Sequence, residues 1–170
     1  MSLTGERPFA NGMSRDRDQS TILLVEDERN DVFFLEYAFE GAGITNPLQI
    51  VEDGQEAIDY LAGTGKYADR RKYPLPCLVL LDLKMPRKSG LDVLRWIQEH
   101  PAFQMMIVIV LSSSRNKSDV DEAYQLGARS YLVKPLSVSE RLELARALKH
   151  YWLKLNTLPS FEGCGPEQKD

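Results

Sequence analysis

The run Cys77-Leu78-Val79-Leu80-Leu81 contains no polar residue and leads directly into Asp82. A half-solvated strand would alternate polar and apolar positions. An unbroken apolar run of this length instead marks a strand covered on both faces, as in a parallel sheet between layers of helices. Three further segments share the pattern, Ile22-Leu23-Leu24-Val25, Ile107-Val108-Ile109-Val110-Leu111 and Tyr131-Leu132-Val133, and Leu48-Gln49-Ile50-Val51 reads as a short strand with one polar residue. A stretch of helical periodicity follows each of them. Five strand–helix pairs in strict alternation predict an α/β chain with a parallel sheet and right-handed crossovers.

The helices have readable ends. Asn30 and Asp31 offer the first start, where acidic side chains suit the positive end of the helix dipole. Val32, Leu35, Phe39 and Ala42 then share a face, and Gly43 closes the helix. Ala57, Ile58 and Leu61 form the second face, stopped at Gly63-Thr64-Gly65. Ser89 caps the third, built on Leu91, Leu94 and Ile97 and ended before Pro101. Ser118-Asp119-Val120-Asp121 is the expected start of the fourth, which closes at Gly127, and Ser137…Glu140 forms a capping box for the fifth. Leu142, Ala145, Leu148, Trp152 and Leu155 predict an apolar stripe running nearly five turns along that last helix. Residues 66–76 make a long crossover loop with two tyrosines and four basic residues, the kind of loop that is usually functional or mobile.

Composition narrows the class. With 43% hydrophobic and 27% charged residues, the 170-residue chain has enough apolar material for one substantial core. A net charge of −4 argues against nucleic-acid binding and a polybasic membrane patch. Cys77 and Cys164 form no Cys-x-x-Cys pair, so neither a disulfide framework nor a zinc site is expected. Without a signal-type apolar segment or a membrane-length one, the expected location is the cytoplasm. Residues 1–20 read as a disordered segment, 21–155 as one domain, and 156–170 as a polar tail.

The chemistry gathers where the strands end. Glu26 and Asp27 follow the first strand, Asp82 the third, Ser112 the fourth and Lys134 the fifth. In open α/β sheets this edge is where ligands bind. Each residue alone has a bland explanation as a turn, cap or surface charge. All five on one rim do not. Two carboxylates about 4 Å apart repel by about 4 kcal/mol at an effective dielectric of 20, so three together call for a proton or a cation. Oxygen ligands without His or Cys suit Mg²⁺, which keeps water and leaves room for phosphate oxygens. Asp82 is placed as a nucleophile, with Lys134 and Ser112 able to meet phosphoryl oxygens.

With these residues in place, about residues 21–155 resemble the response-regulator receiver domain of two-component signalling. The resemblance rests on Glu26-Asp27, Asp82 within Leu-Leu-Asp-Leu-Lys-Met-Pro, Ser112 and Lys134-Pro135, in order and on the corresponding elements. It implies a flavodoxin-like (βα)5 fold with strand order 2-1-3-4-5, an order the receiver family itself exemplifies. It implies Asp82 as phosphoacceptor and Mg²⁺ held by Asp27, Asp82 and the backbone carbonyl of Lys84, with Glu26 acting through water. Lys134 is the lysine that pairs with the phosphoryl group, and its bond to Pro135 is expected to be cis. Ser112 and Tyr131 resemble the switch pair, and the Lys84 side chain occupies a position that tunes dephosphorylation.

The 66–76 loop and the Tyr151-Trp152-Leu153…Thr157-Leu158-Pro159 segment are similar to single-domain regulators that partner phytochrome-type histidine kinases. The implied partners are a histidine kinase and a second copy of the chain, joined through the last helix and its extension, with no nucleic acid and no membrane. Two other phosphorus-related readings compete. A haloacid-dehalogenase-like phosphatase would carry Asp-x-Asp where this chain has Lys84, and a flavodoxin-type cofactor module would need a phosphate loop where Glu26-Asp27-Glu28 stands. A receiver scaffold that accepts no phosphate is the third alternative.

Overall fold

A computed structural model describes residues 18–159. The expected disorder before residue 18, the tail beyond 159 and Cys164 lie outside the described residues. Strands β1 (Ile22–Val25), β2 (Leu48–Val51), β3 (Leu78–Leu81), β4 (Val108–Ser112) and β5 (Ser130–Val133) alternate with helices α1 (Arg29–Gly41), α2 (Gly54–Ala62), α3 (Gly90–Glu99), α4 (Lys117–Gln125) and α5 (Val138–Leu148). All pairings are parallel, as the strand–helix alternation predicts, and the order is β2-β1-β3-β4-β5, as the receiver resemblance implies.

Each strand serves two cores because successive side chains point to opposite faces. Leu23, Val25, Val79, Leu81, Val108 and Val110 pack with α2, α3 and α4. Ile22, Leu24, Leu78, Leu80, Ile109 and Leu111 pack with α1 and α5. This two-sided demand is why the runs show no polar break. Register then brings the strand ends level: Val25 pairs with Leu81 and Val51, Leu81 with Val110, and Ser112 with Val133. Glu26, Asp82, Ser112 and Lys134 therefore emerge along one edge.

Several local expectations change. Ser118 does not cap α4; Asn116 occupies the N-cap without a side-chain bond, and Ser114 Oγ donates instead to Asp119. The helix starts at Lys117, so Ser118 already lies inside it and cannot form the expected box with Asp121. The last helix leaves regular α geometry after Leu148 and widens into a π-type stretch over Lys149–Leu155. The wider turn shifts the buried position to Leu153 and leaves Leu155 64% exposed, so Leu155 is not on the stripe. By contrast, both capping boxes form, Ser89 with Asp92 and Ser137 with Glu140.

The 66–76 loop is tied down through side chains. Tyr60, Tyr67 and Tyr73 pack ring against ring. Arg70 donates to the Tyr60 and Leu61 carbonyls at the end of α2, and Tyr60 Oη donates to Pro74 O at 2.9 Å. These bonds satisfy carbonyls that the helix end leaves without intrahelical partners. Burial pushes the Tyr60 phenol up to about 12. The tyrosines and basic residues thus account for how the loop packs.

The segment after Asp82 is fitted closely to the start of α3. Gly90 N donates to Leu83 O at 2.9 Å, and a Cβ at Gly90 would sit 2.2 Å from Asp82 O and 2.9 Å from Leu83 Cα. Backbone cannot rotate away as a flexible side chain could. Gly90→Ala is therefore expected to destabilise the fold by about 1–3 kcal/mol, the range for overpacking. Urea unfolding measures this, and an unchanged midpoint would show that the turn yields without strain.

Candidate functional site

The rim forms as one group of side chains. Asp82, directly after β3, is buried, and its Oδ1 accepts from Leu83 N at 2.7 Å. Its Oδ2 accepts from Lys134 Nζ at 3.1 Å. Lys134, directly after β5, also reaches Glu26 Oε2 at 2.6 Å and Asp31 Oδ2 at 2.9 Å. An ammonium has three hydrogens, and here three carboxylates surround it. Glu26, at the end of β1, is fixed on its other oxygen by Glu28 N at 3.1 Å.

Asp27 completes an acidic trio. One carboxylate oxygen from each of Glu26, Asp27 and Asp82 lies within 4.8 Å of the others. Among the described residues, Asp27 Oδ1 is the one buried side-chain polar atom without a hydrogen-bond partner. A buried carboxylate oxygen in that condition is unfavourable unless something positive meets it. An all-oxygen donor set with one oxygen unsatisfied fits a hard divalent cation.

Residues 22–146 match the response regulator receiver domain family. The chain belongs to that family. The receiver is 34% identical to the response regulator Rcp1 of Synechocystis sp. over 139 residues, covering 82% of this chain and 92% of that protein. It superposes on the structure of the phosphorylated cyanobacterial phytochrome response regulator RcpA with a TM-score of 0.77 at 34% identity, covering 84% of this chain and 99% of that one. A response regulator in red light signalling of R. palustris gives a TM-score of 0.79 at 38% identity, covering 83% and 99%. The Mn²⁺-bound form of Rcp1 gives 0.75 at 33%, over 83% and 99%.

In this receiver the remaining predicted residues lie on the β4–β5 side. Ser112 is fully buried at the end of β4, and its Oγ accepts from Ser114 N at 3.2 Å. Tyr131, in β5, packs partly against the α2–α3–α4 core and donates through Oη to Ser114 O at 3.0 Å. Lys134 N donates to Ser112 O at 2.9 Å, which ties the lysine to the same strand end. Lys84 is exposed, and its amide N–H is 3.5 Å from Asp82 Oδ1. The Lys134–Pro135 bond is trans, since no cis peptide occurs among the described residues. The trans form is the lower-energy one for an X–Pro bond, and Arg141 Nε holds Pro135 O in place at 3.0 Å.

Sequence reasoning missed Asp31 as a member of this group and treated it as favourable charge near a helix start. Its two oxygens each meet a cation, Lys134 Nζ on Oδ2 and Arg141 Nη2 on Oδ1. Its partners stand more than a hundred positions away, so local spacing carried no signal for it.

The electrostatics divide the acids. Burial acts most strongly on Glu26 and, with Asp82 adding to it, pushes its carboxyl up despite the Lys134 bond. Burial also opposes the charge on Asp31, but Lys134 and Arg141 together hold that carboxyl below the usual range. Burial would lower the Lys134 amine; its bonds to Glu26 and Asp31 outweigh this and raise it. A carboxyl with a raised native pKa binds more protons folded than unfolded, so its contribution to stability falls as pH rises above the ordinary glutamate value of 4.5. Glu26→Gln removes that dependence. Urea unfolding in the presence of a chelator should therefore show the variant gaining on the wild type between pH 4.5 and pH 7, whereas a pH-independent difference would mean that Glu26 titrates normally.

Proposed function

We propose that this response regulator accepts a phosphoryl group from a histidine kinase onto Asp82, with Mg²⁺ bound at Asp27 and Asp82. The observation that carries the reading is the unsatisfied, buried Asp27 Oδ1 beside Asp82, whose own oxygen is bonded to Lys134. Asp27, Asp82 and the Lys84 backbone carbonyl are the residues assigned to hold the ion directly, with Glu26 acting through water. Bound there, the ion would supply positive charge against the transferring phosphoryl oxygens.

The protein's own part is nucleophile, counter-charge and hydroxyl. An Asp82 carboxylate oxygen attacks phosphorus while the phosphorus–nitrogen bond of the kinase phosphohistidine breaks. The electron pair returns to the imidazole, which takes up a proton, and an acyl phosphate forms on Asp82. Lys134 then has a phosphoryl oxygen within reach of the position where it already contacts Asp82. Ser112 would donate to a second oxygen, exchanging its bond with Ser114 N, and Tyr131 would respond through its bond to Ser114 O. Nothing in this geometry favours the phosphatase alternative, because Lys84 stands where that chemistry needs an acid.

The partner assigned is a phytochrome-type histidine kinase, supported by relatives that include a cyanobacterial phytochrome response regulator and a regulator in red light signalling. Among the described residues no helix is long and apolar enough to cross a membrane. We place this activity in the cytoplasm, where such a kinase presents its phosphohistidine, with no nucleic-acid contact.

Incubating the protein with acetyl phosphate and Mg²⁺, then mapping the adduct by mass spectrometry, tests the assignment. Asp82 should carry the label; chelating the metal, Asp27→Asn and Asp82→Asn should each abolish it. Label on another residue, or label persisting in Asp82→Asn, would overturn the proposal.

The changed surface is assigned to a homodimer through the end of α5 and the π-type stretch. Support comes from Tyr151, 53% exposed and set edge-on against Trp152, and from exposed Leu155, which give this end an unburied apolar face. Sedimentation velocity should show a dimer whose population changes with a phosphate mimic and falls on Leu155→Asp; a monomer under all conditions would remove this output.

A further inference from the structure

We propose that Asp31 is a positioning residue for phosphoryl transfer: it anchors the Lys134 ammonium beside Asp82, and Arg141 anchors Asp31. The inference rests on the reading of Asp82 as phosphoacceptor and assigns the residue that keeps Lys134 in place for it.

Of the three carboxylates around Lys134 Nζ, two have a second claim on them. Glu26 and Asp82 belong to the trio whose oxygens converge within 4.8 Å, so a cation there competes with the lysine for both. Asp31 is outside that trio. Its Oδ2 holds Lys134 Nζ at 2.9 Å, and its Oδ1 is held by Arg141 Nη2 at 3.0 Å. Arg141 is itself fixed: Nε donates to Pro135 O at 3.0 Å, and the guanidinium lies 5.1 Å from the centre of the Phe34 ring. The carboxylate is thus braced by α1, by α5 and by the residue next to Lys134.

The bland reading of Asp31 is an acidic residue in the first turn of α1, favoured by the helix dipole. That reading does not account for both oxygens facing cations from the far end of the chain. A lysine is a compact charge on a flexible four-carbon stem and holds one direction only if its acceptors are fixed. When metal and phosphoryl group draw on Glu26 and Asp82, Asp31 is the acceptor that stays. Arg141 spreads over Asp31 Oδ1 and the Pro135 carbonyl, a two-point contact that a point charge would not reproduce.

The test uses the full chain with acetyl phosphate and Mg²⁺, following the rate of label appearing on Asp82. Asp31→Asn keeps the shape and removes the charge. It should slow labelling by about ten- to hundred-fold, as expected when a reacting group is misplaced. Mg²⁺ affinity, measured separately by calorimetry, should be unchanged. In a Lys134→Ala background the same substitution should add no further loss, because the two residues act as a unit. Should Asp31→Asn fail to fold in urea titration, Arg141→Gln carries the same expectations. Labelling at the wild-type rate, an equal loss in both backgrounds, or a matching fall in Mg²⁺ affinity would overturn the proposal. A wild type unlabelled at Asp82 would overturn the phosphoacceptor reading as well, which distinguishes the two failures.

Discussion

The structure depends on one crowded balance of charge. Four carboxylates, Glu26, Asp27, Asp31 and Asp82, meet two cations, Lys134 and Arg141, at the carboxyl ends of three strands and the first turn of α1. With all of them ionised the group carries a surplus of two negative charges, which is the charge of one divalent cation. Burying ion pairs seldom stabilises a fold, since desolvation consumes most of the attraction. The upward push on Glu26 shows desolvation winning even beside Lys134. At Asp31 and Lys134 pairing outweighs burial, so of these three groups Glu26 is the one whose charge is least well compensated.

The scaffold holds that cluster through features far from any charge. Two independent apolar layers fix β1, β3 and β4 from both faces, and their register brings Glu26 and Asp82 level. The turn after Asp82 is held by Gly90 against backbone and by Gly54 N, which donates to Lys88 O at 3.1 Å. Arg87, with φ of 62°, has its guanidinium on Asp53, the N-cap of α2. A left-handed residue without glycine's freedom is unfavourable, and the ion pair with an immobile cap helps to offset it. The acidic rim is consequently rigid on the β3–α3 side.

The strand order was implied only by the receiver resemblance, whereas the strands and the rim residues were legible in the sequence because each depends on a one-dimensional pattern, an apolar run and then a polar residue. Ser89 and Ser137 were legible as caps for the same reason. Ser118 was misread because the helix begins two residues earlier than its spacing suggested, with Asn116 at the N-cap. Leu155 was misread because a 3.6-residue period was carried through a stretch that widens beyond it. Asp31 escaped because its partners, Lys134 and Arg141, are more than a hundred positions away; no local spacing records such a contact.

Two hydrogen-bonded lines leave Lys134 and Asp82 in opposite directions. One runs from Lys134 through Asp31 to Arg141 and the ring of Phe34, ending between α1 and α5. The other begins at Ser112, whose carbonyl holds Lys134 N, and passes through Ser114. That residue bonds Ser112 through its N–H, Tyr131 through its carbonyl and Asp119 through its hydroxyl. The first line consists of charges fixed on both sides; the second consists of hydroxyls and amides up to Ser114, whose own hydroxyl is held by the Asp119 carboxylate. Lys134 stands between the two lines, bonded through Nζ to Asp31 in one and through its backbone N–H to Ser112 O in the other.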